Sequence, residues 1–180
     1  MSDEEIIQQF RNKDTQSYAF NMLVRKYQQK LYWLLRRMVV DHDDADDLLQ
    51  NVWIKVWQNL ANFKAESQLY TWLYRISVNE ALSHLDKKKK RFFLPLGDVE
   101  AELSNKIDTG NQISGDDLLL RLQRAILTLP EKQRIVFQLR YYEEMPYEEM
   151  SKVLDTSVGA LKASYHHAAK KIEVLITRLD

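Results

Sequence analysis

The stretch DHDDADDLLQNVWIKVW, residues 41–57, places five aspartates within seven residues and follows them with two valines and two tryptophans. Carboxylates at that density could hold a divalent cation. A calcium loop, however, wants glycine at its sixth position and glutamate at its twelfth. Counted from Asp41, those positions are Asp46 and Val52, so the pattern fails where it is most diagnostic. A plainer chemistry fits better. Asp43 or Asp44 is expected to cap a helix, with Asp46 and Asp47 in its first turn, near the positive end of the helix dipole. Other groups are no more catalytic. The pairs Asp46-Asp47, Glu148-Glu149 and His166-His167 are each adjacent on a helix, where neighbouring side chains diverge by about 100°. No Walker loop, GxSxG or HExxH occurs. No enzyme, metal site or cofactor is expected.

Two basic surfaces are better candidates. TWLYRISVNEALSHLDKKKKR (71–91) sets Trp72, Tyr74 and Arg75 at one end of a helix, with Asn79 and Ser83 on later turns and a lysine tail. Aromatics beside cations suit single-stranded nucleic acid through stacking and phosphate neutralisation. The alternative is that the aromatics are core and KKKKR a solvated helix end. PYEEMSKVLDTSVGALKASYHHAAKKI (146–172) has a short amphipathic segment, a three-residue turn and a longer helix, which is helix-turn-helix spacing. Val158, Leu161, Tyr165, Ala168 and Ile172 share one face of the longer helix. The opposite face centres on Gly159, Ala163, His166 and Lys170, flanked by Ala160, Lys162 and His167. Small residues there permit close approach to DNA, and Lys162, Lys170 and Lys171 can meet phosphates. A plain helical hairpin with a solvated lysine face is the competing reading.

The elements that must position these groups are helical. Four glycines and three prolines in 180 residues are few for a β-rich fold. A capping box of Ser2 and Glu5 opens a helix over 3–13. Apolar period predicts further helices over 16–39, 44–60 and 69–88, with NFKAESQ (62–68) as a loop. Residues 92–117 hold three of the four glycines and one Lys or Arg against six Asp or Glu. That segment is expected to be a partly disordered linker. Beyond it, helices are predicted over 117–128, 131–142, from Pro146 to about 154, and 158–179. The expected fold is all-α: two small helical domains, 1–91 and 117–180, joined by an acidic linker over 92–116.

Net charge is zero and says nothing of partners, but its distribution is uneven. Residues 1–91 carry 15 Lys and Arg against 12 Asp and Glu, and residues 118–180 carry ten against eight. Cysteine is absent, which excludes disulfides and thiol catalysis. The acidic N-terminus lacks the regions of a signal peptide, and the longest apolar run, Leu31–Leu35, is far short of a membrane span. A cytoplasmic protein without membrane insertion is expected.

In order and separation, DADDLLQNVWIKVW, TWLYRISVN and LTLPEKQRIVFQLRYYEEMPYEEMSKVL resemble the sigma factors of bacterial RNA polymerase. The resemblance is to the extracytoplasmic-function (ECF) group of the sigma-70 family and covers nearly the whole chain outside the linker. It implies a non-enzymatic factor that makes core RNA polymerase promoter-specific, with promoter DNA and core polymerase as partners and an anti-sigma factor as a further one. No small-molecule substrate is implied. The helix at 44–60 would dock on a coiled coil of the largest polymerase subunit through Asp46, Asp47, Gln50 and Asn51. Family members often carry glutamate where Asn51 stands. The loop and the helix after it would capture and help melt the minus-ten element through Lys64, Ser67, Leu69, Arg75, Asn79 and Ser83. The last helix would read the minus-thirty-five element through Ser157, Gly159, Ala160, Lys162, Ala163, His166, His167 and Lys170. The family commonly has arginines where this chain has Ser164, His167 and Ala169, which implies fewer contacts there. The reading from another class is a stand-alone helix-turn-helix transcriptional regulator.

Overall fold

The computed structural model describes residues 1–92 and 117–177. Among these residues there is no strand. The chain divides into two compact units, Met1–Asp86 and Lys87–Asp180. The linker expectation for 92–116 falls almost wholly outside the described residues.

In the first unit, α1 (Asp3–Phe10) starts at the expected capping box. The Glu5 amide donates to Ser2 Oγ at 3.2 Å and the Ser2 amide to Glu5 Oε2 at 2.7 Å. It ends three residues earlier than its apolar period suggests, because residues 11–15 close into a hydrogen-bonded turn. α2 (Gln16–Val39) buries Leu23, Tyr27, Leu31, Leu34, Leu35 and Met38 along the predicted stripe. α1 is fastened to it by Asp3, which accepts from Tyr27 Oη and from Lys26 Nζ, each at 2.7 Å. Burial first, then the hydrogen bond to Asp3 and its charge, hold the Tyr27 phenol well above its usual range.

α3 (His42–Asn59) corrects the sequence reading. Neither Asp43 nor Asp44 is the cap: Asp41 is, its Oδ1 accepting from the Asp44 amide at 3.1 Å. Asp43 and Asp44 therefore occupy the first turn, and Asp46 and Asp47 the second. The cause is the junction with α2. Val40 takes φ 64°, ψ −28°, and the Asp41 amide donates to Val39 O at 2.8 Å, a three-residue γ-type turn. This reverses the chain at once and leaves Asp41 extended, as a cap must be. A β-branched residue at positive φ is strained, and burial of the Val40 side chain helps to hold it there.

The aromatic stripe of α3 lies against α1 and α2, with Trp53 half-buried and Trp57 39 % exposed. Phe20 meets Trp53 and Trp57 edge-on at 5.9 and 4.9 Å, and Phe10 meets Trp57 edge-on at 5.2 Å. A 3-10 turn (Leu60–Asn62) follows, then α4 (Leu69–Phe92), which buries Leu73, Val78, Ala81 and Leu85.

The second unit takes in the last six residues of α4 and four further described helices: α5 (Asp117–Leu127), α6 (Glu131–Tyr141), α7 (Tyr147–Leu154) and α8 (Val158–Thr177). Pro130 and Pro146 stand immediately before α6 and α7, where a missing amide hydrogen costs nothing. Ala125, Ile126, Leu129, Phe137, Ala168 and Ile172 form a core. Arg134, itself buried, donates to Leu127 O at 3.3 Å and so meets a carbonyl at the C-terminal end of α5.

Candidate functional site

Three exposed surfaces collect the candidate residues. On α3, Asp47, Gln50 and Asn51 are exposed and Asp46 is half-buried, with His42 Nε2 3.4 Å from its Oδ2. Asp47, Asn51 and Ile54 stand at i, i+4 and i+7, so they share one edge. Ile54 is 55 % exposed on that edge. The sequence reading missed it; its spacing from Asp47 was the available signal. The side of α3 toward α4 is committed to the fold. Lys55 pairs with Glu80, and Asp44 Oδ2 lies 3.2 Å from His84 Nε2.

The second surface joins a loop to α4. Arg75, Asn79 and Ser83 are exposed at successive i+4 positions, and Lys64 is exposed in the loop. Ser67 is half-buried, its hydroxyl donating to Gln68 O at 3.3 Å. Leu69 is a correction: it is 3 % exposed, and its side chain belongs to the core. Being the first residue of α4 in the chain placed it near the loop but could not reveal which way it faces. The aromatics divide likewise. Tyr74 is buried, while Trp72 is half-buried with its ring 5.3 Å from Phe63.

The third surface is the outer face of α8. Ser157, Gly159, Ala160, Lys162, Ala163, His166, His167 and Lys170 are all exposed. The turn before it is tight: Asp155 adopts φ 50°, ψ 48°, and Ser157 Oγ accepts from the Ala160 amide at 3.3 Å. A Cβ added at Gly159 would have nothing within 4 Å. The N-terminal part of this face is therefore low and open, as close approach to a groove requires. Lys162 Nζ lies 5.8 Å from the Tyr147 ring centroid, and Lys171 Nζ donates to Gln133 Oε1 at 3.3 Å. The His166 and His167 rings are 6.0 Å apart. Among the described residues no three His, Asp or Glu side chains converge as metal ligands. Removing the cap by Ser157→Ala is expected to lower stability by about 1 kcal/mol. Thermal unfolding would show it; an unchanged melting temperature would deny Ser157 a capping role.

Comparison with known proteins decides what carries these surfaces. Sigma-70 region 2 matches residues 23–91 and sigma-70 region 4 matches residues 119–172. The ECF RNA polymerase sigma-E factor of Haemophilus influenzae is 32 % identical over 96 % of this chain and 94 % of its own. The chain belongs to the ECF group of sigma factors. The sigma-H factor of Pseudomonas aeruginosa is 31 % identical over 95 % of this chain and 92 % of its own. The sigma-E factor of Escherichia coli K12 is 31 % identical over 96 % and 93 %. Two solved structures share the fold. The sigma factor RpoE of Bartonella quintana, in complex with the anti-sigma factor NepR, has a TM-score of 0.69 at 20 % identity over 88 % of this chain and 96 % of its own. CnrH, in complex with the cytosolic domain of CnrY, has a TM-score of 0.70 at 22 % identity over 98 % and 97 %.

As a sigma factor, the protein directs promoter-specific transcription initiation. Region 2 of this sigma factor takes in α3 entire, α4 but for its last residue and α2 from Leu23 onward, whereas α1 precedes it. Region 4 takes in α6 and α7 and most of α8. No helix among the described residues is long and apolar enough to cross a membrane.

Proposed function

We propose a division of labour among the three surfaces. The outer edge of α3, with Asp46, Asp47, Gln50 and Asn51, docks on basic residues of core polymerase, and Ile54 supplies an apolar contact beside them. The loop residues Lys64 and Ser67 with Arg75, Asn79 and Ser83 of α4 handle the unpaired minus-ten strand. Leu69 has no part in this beyond the core. The exposed face of α8 enters the major groove at the minus-thirty-five element. Residues 1–91 then form the docking and melting domain, 92–116 the tether, and 117–180 the upstream-reading domain.

The protein does no covalent chemistry; its work is selective binding in the cytoplasm, with core polymerase and promoter DNA as partners. An anti-sigma factor is a further partner, because both structural neighbours named above were solved with such a protein or a cytosolic domain bound.

One observation carries the minus-ten reading. Arg75, Asn79 and Ser83 form an exposed row about two helical turns long, starting at the seventh residue of α4. An amide offers a base edge both a donor and an acceptor, so Asn79 is the base reader. Holoenzyme made with Asn79→Ala, tested on promoters varied one base at a time, should lose about 1–3 kcal/mol of discrimination at one minus-ten position. Retained wild-type preference at every position would remove Asn79 from that role.

A further inference from the structure

We infer that Arg11, which precedes the region 2 match, is a positioning residue that sets the loop at 61–68 for capture of an unstacked base. This rests on the proposal that the loop and α4 handle the minus-ten strand.

The guanidinium ties the end of α1 to a segment 50 to 52 residues further along the chain. Arg11 Nη2 donates to Phe63 O at 2.8 Å, and Nε donates to Ala61 O at 3.3 Å. These carbonyls flank Asn62, where the 3-10 turn ends and the loop begins. Carbonyls at the end of a helical segment carry partial negative charge and lack intrahelical donors. A planar fork with several donors matches two such acceptors better than an ammonium does.

The arm that delivers the fork is itself fixed. Phe10, immediately before Arg11, is buried and its ring meets Trp57 and Phe20. After Arg11, Thr15 Oγ1 donates to Gln9 O at 2.8 Å, the Asn12 amide donates to Gln9 O at 3.2 Å, and the Asp14 amide donates to Asn12 Oδ1 at 3.1 Å. The base of the arginine is thus held on both sides, and its reach to the loop is set by the packing of α1.

From the other side, Phe63 is buried against Trp72, and its amide donates to Leu60 O at 3.1 Å. Backbone and ring of Phe63 are therefore held from opposite directions. Beyond it, Lys64, Ala65 and Glu66 are exposed, and Ala65 sits at φ 56°. An L residue adopts that region at a cost, so a loop anchored at Phe63 has few ways to relax. A loop already in its binding shape loses less entropy when a base enters.

The experiment uses holoenzyme assembled from core polymerase and the full chain, with a pool of single-stranded oligonucleotides randomised over six positions. The wild type should enrich one sequence. Binding of that sequence should weaken about five- to tenfold for Arg11→Ala, the scale of one net hydrogen bond. Arg11→Lys, able to serve one carbonyl at a time, should recover part of the loss. Two readouts separate positioning from other roles. If Arg11 touched a phosphate, its removal would flatten the salt dependence by roughly 0.7 of a slope unit; positioning leaves the slope unchanged. Hydrogen exchange on the full chain should accelerate at 60–68 and not in α2 or α4. A flattened slope, or exchange raised throughout the first unit, would overturn the inference. So would wild-type binding by Arg11→Ala while Asn79→Ala is impaired, which leaves the minus-ten reading standing. If neither variant is impaired, both fail together.

Discussion

Charge reversal on the outer edge of α3, Asp47→Lys together with Asn51→Lys, is expected to weaken binding to core polymerase by at least about a hundredfold. Both residues are exposed, one turn apart, on the same edge as the exposed Ile54. Two lysines brought against the basic partner surface proposed above meet like charge, which costs several kcal/mol, and each 1.4 kcal/mol is about tenfold in affinity. Neither side chain is part of the core, so helicity and melting temperature should stay near wild type. Titration of labelled protein with core polymerase is the measurement. Wild-type affinity with intact helicity would remove this edge from the docking surface.

That edge shows how far the sequence could be read and where it stopped. The period of α3 was legible because Ala45, Leu48, Val52 and Val56 recur at three- and four-residue spacing and are buried. Its start was not. Five aspartates are all competent caps, and the choice fell to the strained Val40 turn, which a sequence containing no glycine there does not advertise. The start of the last helix was legible because the apolar period begins at Val158, directly after the hydroxyl of Ser157. Leu69 was misplaced because loop proximity says nothing about which way a side chain points. Arg11 was invisible for a different reason. Its two carbonyl partners lie 50 and 52 residues away, and backbone carbonyls leave no trace in residue type. The lysine partner of Glu80 is hidden by distance alone, 25 residues away.

The second large effect is expected in the core of the α5–α8 unit. The Phe137 ring is buried and stacks on Tyr141 at 5.2 Å and on Tyr165 at 5.6 Å, tying α6 to α8. Phe137→Ala removes both contacts and leaves a cavity, a change worth about 3–5 kcal/mol. A unit this small has only a few kcal/mol of stability in reserve. Amides of α6 and α8 should lose most of their hydrogen-exchange protection, while those of α2 keep theirs. Holoenzyme should then lose upstream recognition and retain capture of single strands. Wild-type protection across α8 would mean that the stack does not hold the recognition helix.

The turn at Val40 also limits how this chain can vary in length. Between α2 and α3 only Val40 and Asp41 intervene, and the first is already folded as tightly as a backbone allows. No slack exists there to absorb an insertion. One added residue would have to be taken up by α3, turning that helix by about 100° and moving it about 1.5 Å along its axis. Trp53 and Trp57 would leave Phe20, and the Asp47 edge would swing away from its partner while keeping every side chain it has now. Residue count at this junction is thus a coordinate of the proposed docking surface. Substitutions can be tolerated there one at a time, but relatives that keep the same interface should not differ there by an insertion or a deletion.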